Sequence, residues 1–97
     1  MLRMASQSHQ LRVNMYYTYI IESIESSSKH YIGYSSDLRQ RLLDHNAGKC
    51  PSTARYRPWK LIQYTAFESV ERALAFEKYL KGSLDGGRMA GPLNIHN

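Results

Sequence analysis

The sequence predicts an α+β domain with its elements in the order β-β-α-β-α, a small sheet covered by helices. Three observations carry that prediction. Two β-rich runs are separated by only a short polar stretch, a third alternating run follows two prolines, and two segments place apolar residues at helical spacing and end near a glycine.

Residues 1–14 are polar and without periodicity, which predicts a flexible N-terminal extension. From Met15 to Ile24 the run Tyr16-Tyr17-Thr18-Tyr19-Ile20-Ile21 is rich in aromatic and β-branched residues, the composition of a strand. Glu25-Ser26-Ser27-Ser28 reads as a turn, and His30-Tyr31-Ile32-Gly33-Tyr34 as the antiparallel partner, because so short a connection cannot make a parallel crossover. Ser35 or Ser36 is suited to cap a helix whose first turn holds Asp37, whose apolar side carries Leu38 and Leu42, and which Gly48 ends. Lys49 to Pro58 reads as a basic loop. Trp59 to Phe67 alternates as a third strand, with Leu61, Gln63, Thr65 and Phe67 on one face and Ile62, Tyr64 and Ala66 on the other. Ser69 is suited to cap a second helix running to about Lys81, closed by Gly82, and residues 83–97 read as a tail rich in glycine.

A chain of 97 residues supports one domain, placed at residues 15–82, and leaves room for a shallow cleft rather than a deep pocket. With Cys50 as its single cysteine the chain forms no internal disulfide, and His45 and Cys50 lack the further ligands that a structural zinc site needs. The apolar run Tyr16–Ile21 is too short to span a membrane, and the absence of a secretory signal pattern points to the cytoplasm. The net charge of +5 is concentrated: Arg39, Arg41, Lys49, Arg55, Arg57 and Lys60 face only Asp44 within one window, and the remainder of the chain is balanced. A localised basic surface favours a polyanion through release of counterions, although a merely solvated basic face has the same composition.

Helix geometry singles out a few side chains. On the second helix Ala73, Phe76 and Leu80 form an apolar stripe, and Glu77 borders it at roughly 40° from Ala73. A carboxylate there either meets a cation or an arginine, or reaches solvent and pairs with Lys81 one turn on. On the first helix Arg41 and His45 flank the Leu38–Leu42 stripe, and Asp37 is one turn from Arg41, a routine surface pairing. Among the eight tyrosines, Tyr17 and Tyr19 share a strand face, whereas Tyr31 and Tyr34 do not. Most need no explanation beyond strand propensity, but phenols from both strands could meet and handle a proton, and Gly33 marks a place of close approach to the backbone. Taken alone, these residues point no further than a basic α+β domain suited to binding nucleic acid.

Tyr17-Thr18-Tyr19, Tyr31-Ile32-Gly33, Asp37-Leu38-x-x-Arg41-Leu42 and Ala73-Leu74-x-x-Glu77-Lys78-x-Leu80-Lys81 together resemble the GIY-YIG nuclease domain, most closely its small standalone bacterial YhbQ-like members, and it is related to the N-terminal nuclease domain of UvrC. The resemblance runs from about Met15 to Gly82, and His45-Asn46-x-Gly48, Arg57-Pro58-Trp59 and Phe67-Glu68-Ser69 also match the standalone branch. It implies a three-stranded antiparallel sheet flanked by helices and a DNA endonuclease that hydrolyses phosphodiester bonds with one divalent ion, Mg²⁺ or Mn²⁺. Glu77 matches the metal ligand, Arg41 the residue at the scissile phosphate, Tyr19 and Tyr31 the residues that line the site and handle the attacking water, and His45 a histidine near the cleft. Arg39, Lys49, Arg55, Arg57 and Lys60 would then contact DNA, and kinship suggests repair or recombination. Tyr17 replaces the first motif's glycine, Tyr34 stands where repair nucleases carry a basic residue, and the late asparagine some relatives use has no clear counterpart beyond the candidate Asn94. Two alternatives stand beside the nuclease: a non-catalytic DNA- or RNA-binding module with the same fold, and a domain whose basic window meets an acidic protein.

Overall fold

The computed structural model describes residues 14–85; the expected extension through residue 13, the tail from residue 86 and Asn94 lie outside the described residues. The elements are β1 (Tyr16–Ser23), β2 (His30–Ser35), α1 (Leu38–Asn46), a four-residue helix α2 (Pro51–Ala54), β3 (Trp59–Phe67) and α3 (Val70–Asp85). The sheet is antiparallel in the order β2-β1-β3, which agrees with the α+β architecture that the sequence predicts.

β1 is central and covered on both faces, so Thr18, Tyr19, Ile20 and Ile21 are buried in succession. Ile20 and Ile32 face α3 with Leu80 packed against them. Thr18 donates its hydroxyl to the carbonyl of Ala73 at 2.6 Å, fastening α3 to the strand at its best-buried residue. On the opposite face Tyr19, Ile21 and Trp59 form a second cluster, lined by Tyr31, Leu38, Leu42, Tyr56 and Leu61.

Four details differ from the sequence reading. The cap of α1 is Asp37, whose carboxylate accepts from the Gln40 N–H at 3.1 Å, while Ser35 Oγ accepts from the Asp37 N–H at 2.9 Å. The carboxylate that could have paired with Arg41 is therefore engaged at the helix N-terminus, where the unpaired amides and the dipole favour it. The segment read as a basic loop contains α2, opened by Pro51 in the first turn, where a missing N–H costs nothing. β3 does not alternate throughout: Ile20 pairs with Gln63 but Ile21 with Leu61, so Ile62 is the extra residue of a bulge. Leu61 consequently turns to the face of Tyr64 and joins the Tyr19–Trp59 cluster. Finally, α3 continues through Gly82 to Asp85.

The end of α1 follows the sequence closely. Gly48 has φ of 80°, its N–H donates to the His45 carbonyl at 3.2 Å, and the Lys49 N–H donates to the Asp44 carbonyl at 3.0 Å. That pairing closes the last turn with a left-handed residue.

Candidate active site

The pairing of β1 with β2 sets Tyr19 opposite Gly33 and Ile21 opposite Tyr31, so both phenols share the face covered by α1. Gly33 is there for space. A Cβ on it would sit 2.5 Å from the Tyr19 hydroxyl and 2.9 Å from the Tyr31 ring, closer than atoms approach without displacement. The glycine lets the Tyr19 ring cross the backbone of β2.

His45, on the last turn of α1, is buried beneath these rings. Ring centroids lie 5.1 Å apart for Tyr31–His45, 5.9 Å for Tyr19–His45 and 6.4 Å for Tyr19–Tyr31. The Tyr19 hydroxyl is 2.8 Å from His45 Nε2, and His45 Nδ1 is 2.7 Å from the Thr53 hydroxyl. The Thr53 hydroxyl also lies 3.3 Å from the Cys50 carbonyl; with its proton directed there, its oxygen would accept from Nδ1–H and leave Nε2 to accept from Tyr19. Both imidazole nitrogens are thereby engaged within the protein.

The electrostatics agree with a neutral trio. Burial, reinforced by Tyr31, raises the Tyr19 pKa far above that of an ordinary phenol. Tyr31 is raised by burial and then by Cys50. His45 is lowered by burial and then by the Arg41 guanidinium, with Asp44 opposing. Glu77 and Arg41 each act electrostatically on both phenols, so α3 and α1 bring a carboxylate and a guanidinium toward the same pair of rings. Glu77 forms an ion pair with Lys81 at 3.0 Å, and the Lys81 ammonium stands 6.0 Å from the centre of the Tyr31 ring.

Arg41, Glu77, Tyr19, Tyr31 and His45 are thus brought together, with His45 behind Tyr19 rather than in the cleft. Of the remaining basic residues, Arg39 lies apart from Lys49, Arg55, Arg57 and Lys60. Arg39 lines a groove of about 400 Å³ with Tyr17, Leu38, Leu42, Leu61 and Tyr64. Lys49 lies 3.8 Å from Asp44, and Arg55 and Lys29 each sit 5.2 Å from the centre of the Tyr56 ring. Arg57 lies against Gly48, and Lys60 stands opposite Glu22. Tyr17 and Ser23, which neighbour the two ends of this series, are about 20 Å apart along β1 at ~3.3 Å per residue. Tyr19 falls between them.

Among the described residues no three His, Cys, Asp or Glu side chains are grouped to hold a metal ion. Glu77 is the one carboxylate that acts on both phenols, so the donor set suits a hard cation held by one carboxylate and otherwise by water, as Mg²⁺ commonly is. Thr53 was not singled out in the sequence, and Asn46 appeared there only within the His45-Asn46-x-Gly48 match. Asn46 donates to the Trp59 carbonyl at 3.1 Å and accepts from the Trp59 N–H at 2.6 Å, which ties α1 to β3. Pro51, as a helix-start signal, could have pointed to α2 and hence to Thr53; for Asn46 the motif match gave the position but not its tie to Trp59.

A three-stranded antiparallel sheet thus brings two phenols, an arginine and a helical carboxylate near one another, and the family match gives the class as a nuclease-type domain. Residues 15–86 match the GIY-YIG catalytic domain. The chain is 41% identical over 66 residues to UPF0213 protein SpyM3_1077 of Streptococcus pyogenes serotype M3 (strain ATCC BAA-595 / MGAS315), covering 67% of this chain and 70% of that protein. It matches UPF0213 protein SpyM50708 of Streptococcus pyogenes serotype M5 (strain Manfredo) at the same identity and coverage. The chain belongs to the GIY-YIG family, a nuclease-type family whose substrates are nucleic acids and whose members generally depend on a divalent metal. No helix among the described residues is long and apolar enough to cross a membrane.

Proposed function

We propose that this chain is a divalent-metal-dependent DNA endonuclease that hydrolyses phosphodiester bonds, acting in DNA repair or recombination. The observation that carries the reading is that Arg41 and Glu77 both act on Tyr19 and Tyr31, which draws side chains of four separate elements toward one place. A bound Mg²⁺ or Mn²⁺, held through Glu77, supplies charge stabilisation for the leaving 3′ oxygen. Arg41 offers a planar, permanently charged group to the negative charge that grows on the phosphate during attack. Tyr31 lines the cleft and orients the attacking water. Tyr19 receives a proton from that water while passing its own to His45. Because burial holds both phenols neutral, this route suits them better than a preformed phenolate. Arg39, Lys49, Arg55, Arg57 and Lys60, spread along the face, hold the DNA backbone without reading sequence.

One observation favours a binding module instead: Glu77 already has a partner in Lys81. The same experiment decides between the two. Purified protein is incubated with plasmid, branched, flapped and single-stranded DNA in Mg²⁺ or Mn²⁺. Cleavage is expected, and Glu77→Gln and Tyr31→Phe should each lower it by about 100-fold or more with DNA binding retained. Equal cleavage by wild type and Glu77→Gln removes the site assignment, and no cleavage of any substrate leaves the binding module.

A further inference from the structure

We propose that Thr53 is a positioning residue for hydrolysis, holding His45 as the tautomer whose Nε2 lone pair faces the Tyr19 hydroxyl. The inference rests on the hydrolytic reading of the site and adds to it a residue from outside the family motifs quoted above.

Thr53 is buried, and both of its polar groups are fixed. Its hydroxyl is 3.3 Å from the Cys50 carbonyl, an acceptor to which it can direct its proton, and its own carbonyl accepts from the Trp59 indole N–H at 2.9 Å. With the hydroxyl proton directed at Cys50, a lone pair is left for His45 Nδ1–H at 2.7 Å. The other tautomer would aim Nε2–H at the Tyr19 oxygen and force the threonine to abandon Cys50 in order to donate to Nδ1. It would also leave Tyr19 with no base to receive its proton.

The proton count closes with this arrangement. As the water oxygen bonds to phosphorus, its proton moves to the Tyr19 oxygen, and the Tyr19 proton moves to His45 Nε2. The P–O3′ bond breaks, and the departing oxygen takes a proton from solvent. His45 is left as an imidazolium that still donates Nδ1–H to Thr53, and it returns its proton to solvent before the next turnover. A hydroxyl is suited to this place because it orients the ring without adding charge. A carboxylate there would stabilise the imidazolium and keep the base occupied.

The test uses the full chain. Nitrogen NMR of labelled histidine should find His45 as the Nδ1–H tautomer in the wild type. Thr53→Val should lower kcat by about 100-fold, the scale of a lost proton-transfer partner, with unchanged DNA affinity. Thr53→Ser, which retains the hydroxyl, should recover most of that loss. An Nε2–H tautomer in the wild type overturns the proposal, as does wild-type cleavage by Thr53→Val under conditions where Glu77→Gln is inactive. If Thr53→Val fails to fold, the tautomer and the Thr53→Ser rate still decide. A wild type with the Nδ1–H tautomer that cuts no DNA refutes the hydrolytic reading, and the proposal falls with it. Cleavage accompanied by the Nε2–H tautomer refutes Thr53 alone.

Discussion

On the α3 side of the sheet, Ile20, Ile32 and Leu80 meet with no titratable group among them. On the α1 side, the rings of Tyr19, Tyr31, His45 and Trp59 all carry polar atoms, and Tyr19, His45 and Trp59 find partners inside the protein. The first face needs only shape and volume. The second needs each hydrogen bond to be made, because a buried polar group without a partner costs about 1–3 kcal/mol. A small domain can keep a network of that kind only if the opposite face supplies ordinary apolar packing. Glu77 joins the two regions, borne by the helix of the apolar face and acting electrostatically on the phenols of the other.

The sharpest way to break this division is Ile20→Ala, which should cost about 2–5 kcal/mol and lower the melting temperature by roughly 4–8 °C per kcal/mol. The specific activity of the molecules that stay folded should change little. Thermal unfolding and cleavage measured on one sample check both. The converse is Gly33→Ala, where the added methyl group collides with the Tyr19 hydroxyl. Cleavage should fall about tenfold or more as Tyr19 leaves its geometry with His45, with a smaller loss of melting temperature than for Ile20→Ala.

Protonation sharpens the comparison further. With its pKa held below the ordinary 6.5 by burial and Arg41, His45 stays neutral, so cleavage should keep its base until the pH falls beneath the usual histidine range. The unfolded chain takes up this proton first on acidification. Its contribution to stability is therefore complete above pH 6.5 and declines as the pH falls below it. Arg41→Gln removes one depressing charge, and the NMR titration midpoint of His45 should move up. The smallest effect belongs to Lys81→Gln. Loss of its pairing with Glu77 should cost about 0.3–0.5 kcal/mol, while half-maximal cleavage should need less Mn²⁺, since the ammonium no longer competes for the carboxylate.

The legibility of the sequence differs along the same line. Strands rich in Tyr and Ile, the Gly48 stop and the Ala73–Phe76–Leu80 stripe are local signals, and the fold follows from them. The convergence of Tyr19, Tyr31, Arg41 and Glu77 was not readable from periodicity, because it depends on sheet register and on how two helices pack; only the family motifs suggested it. The bulge at Ile62 has no local signature and inverted the expected facing of Leu61. Thr53 was hidden by the reading of 49–58 as a loop, since a helix of four residues is too short for a periodic pattern. The basic window was visible as composition, yet its members divide between the two ends of the face because α1 and the segment after it run the length of the sheet.

The position of Glu77 on the last described element has a consequence for synthesis. The ribosome releases the chain from its N-terminus, so the phenols, the guanidinium and the imidazole all emerge before the carboxylate proposed to hold the ion. A nascent chain stalled before α3, or a fragment clipped at the turn after β3, also lacks the carbonyl that fastens Thr18. Under the proposed function, such a piece would keep the cations that meet nucleic acid and lack the carboxylate that serves cleavage.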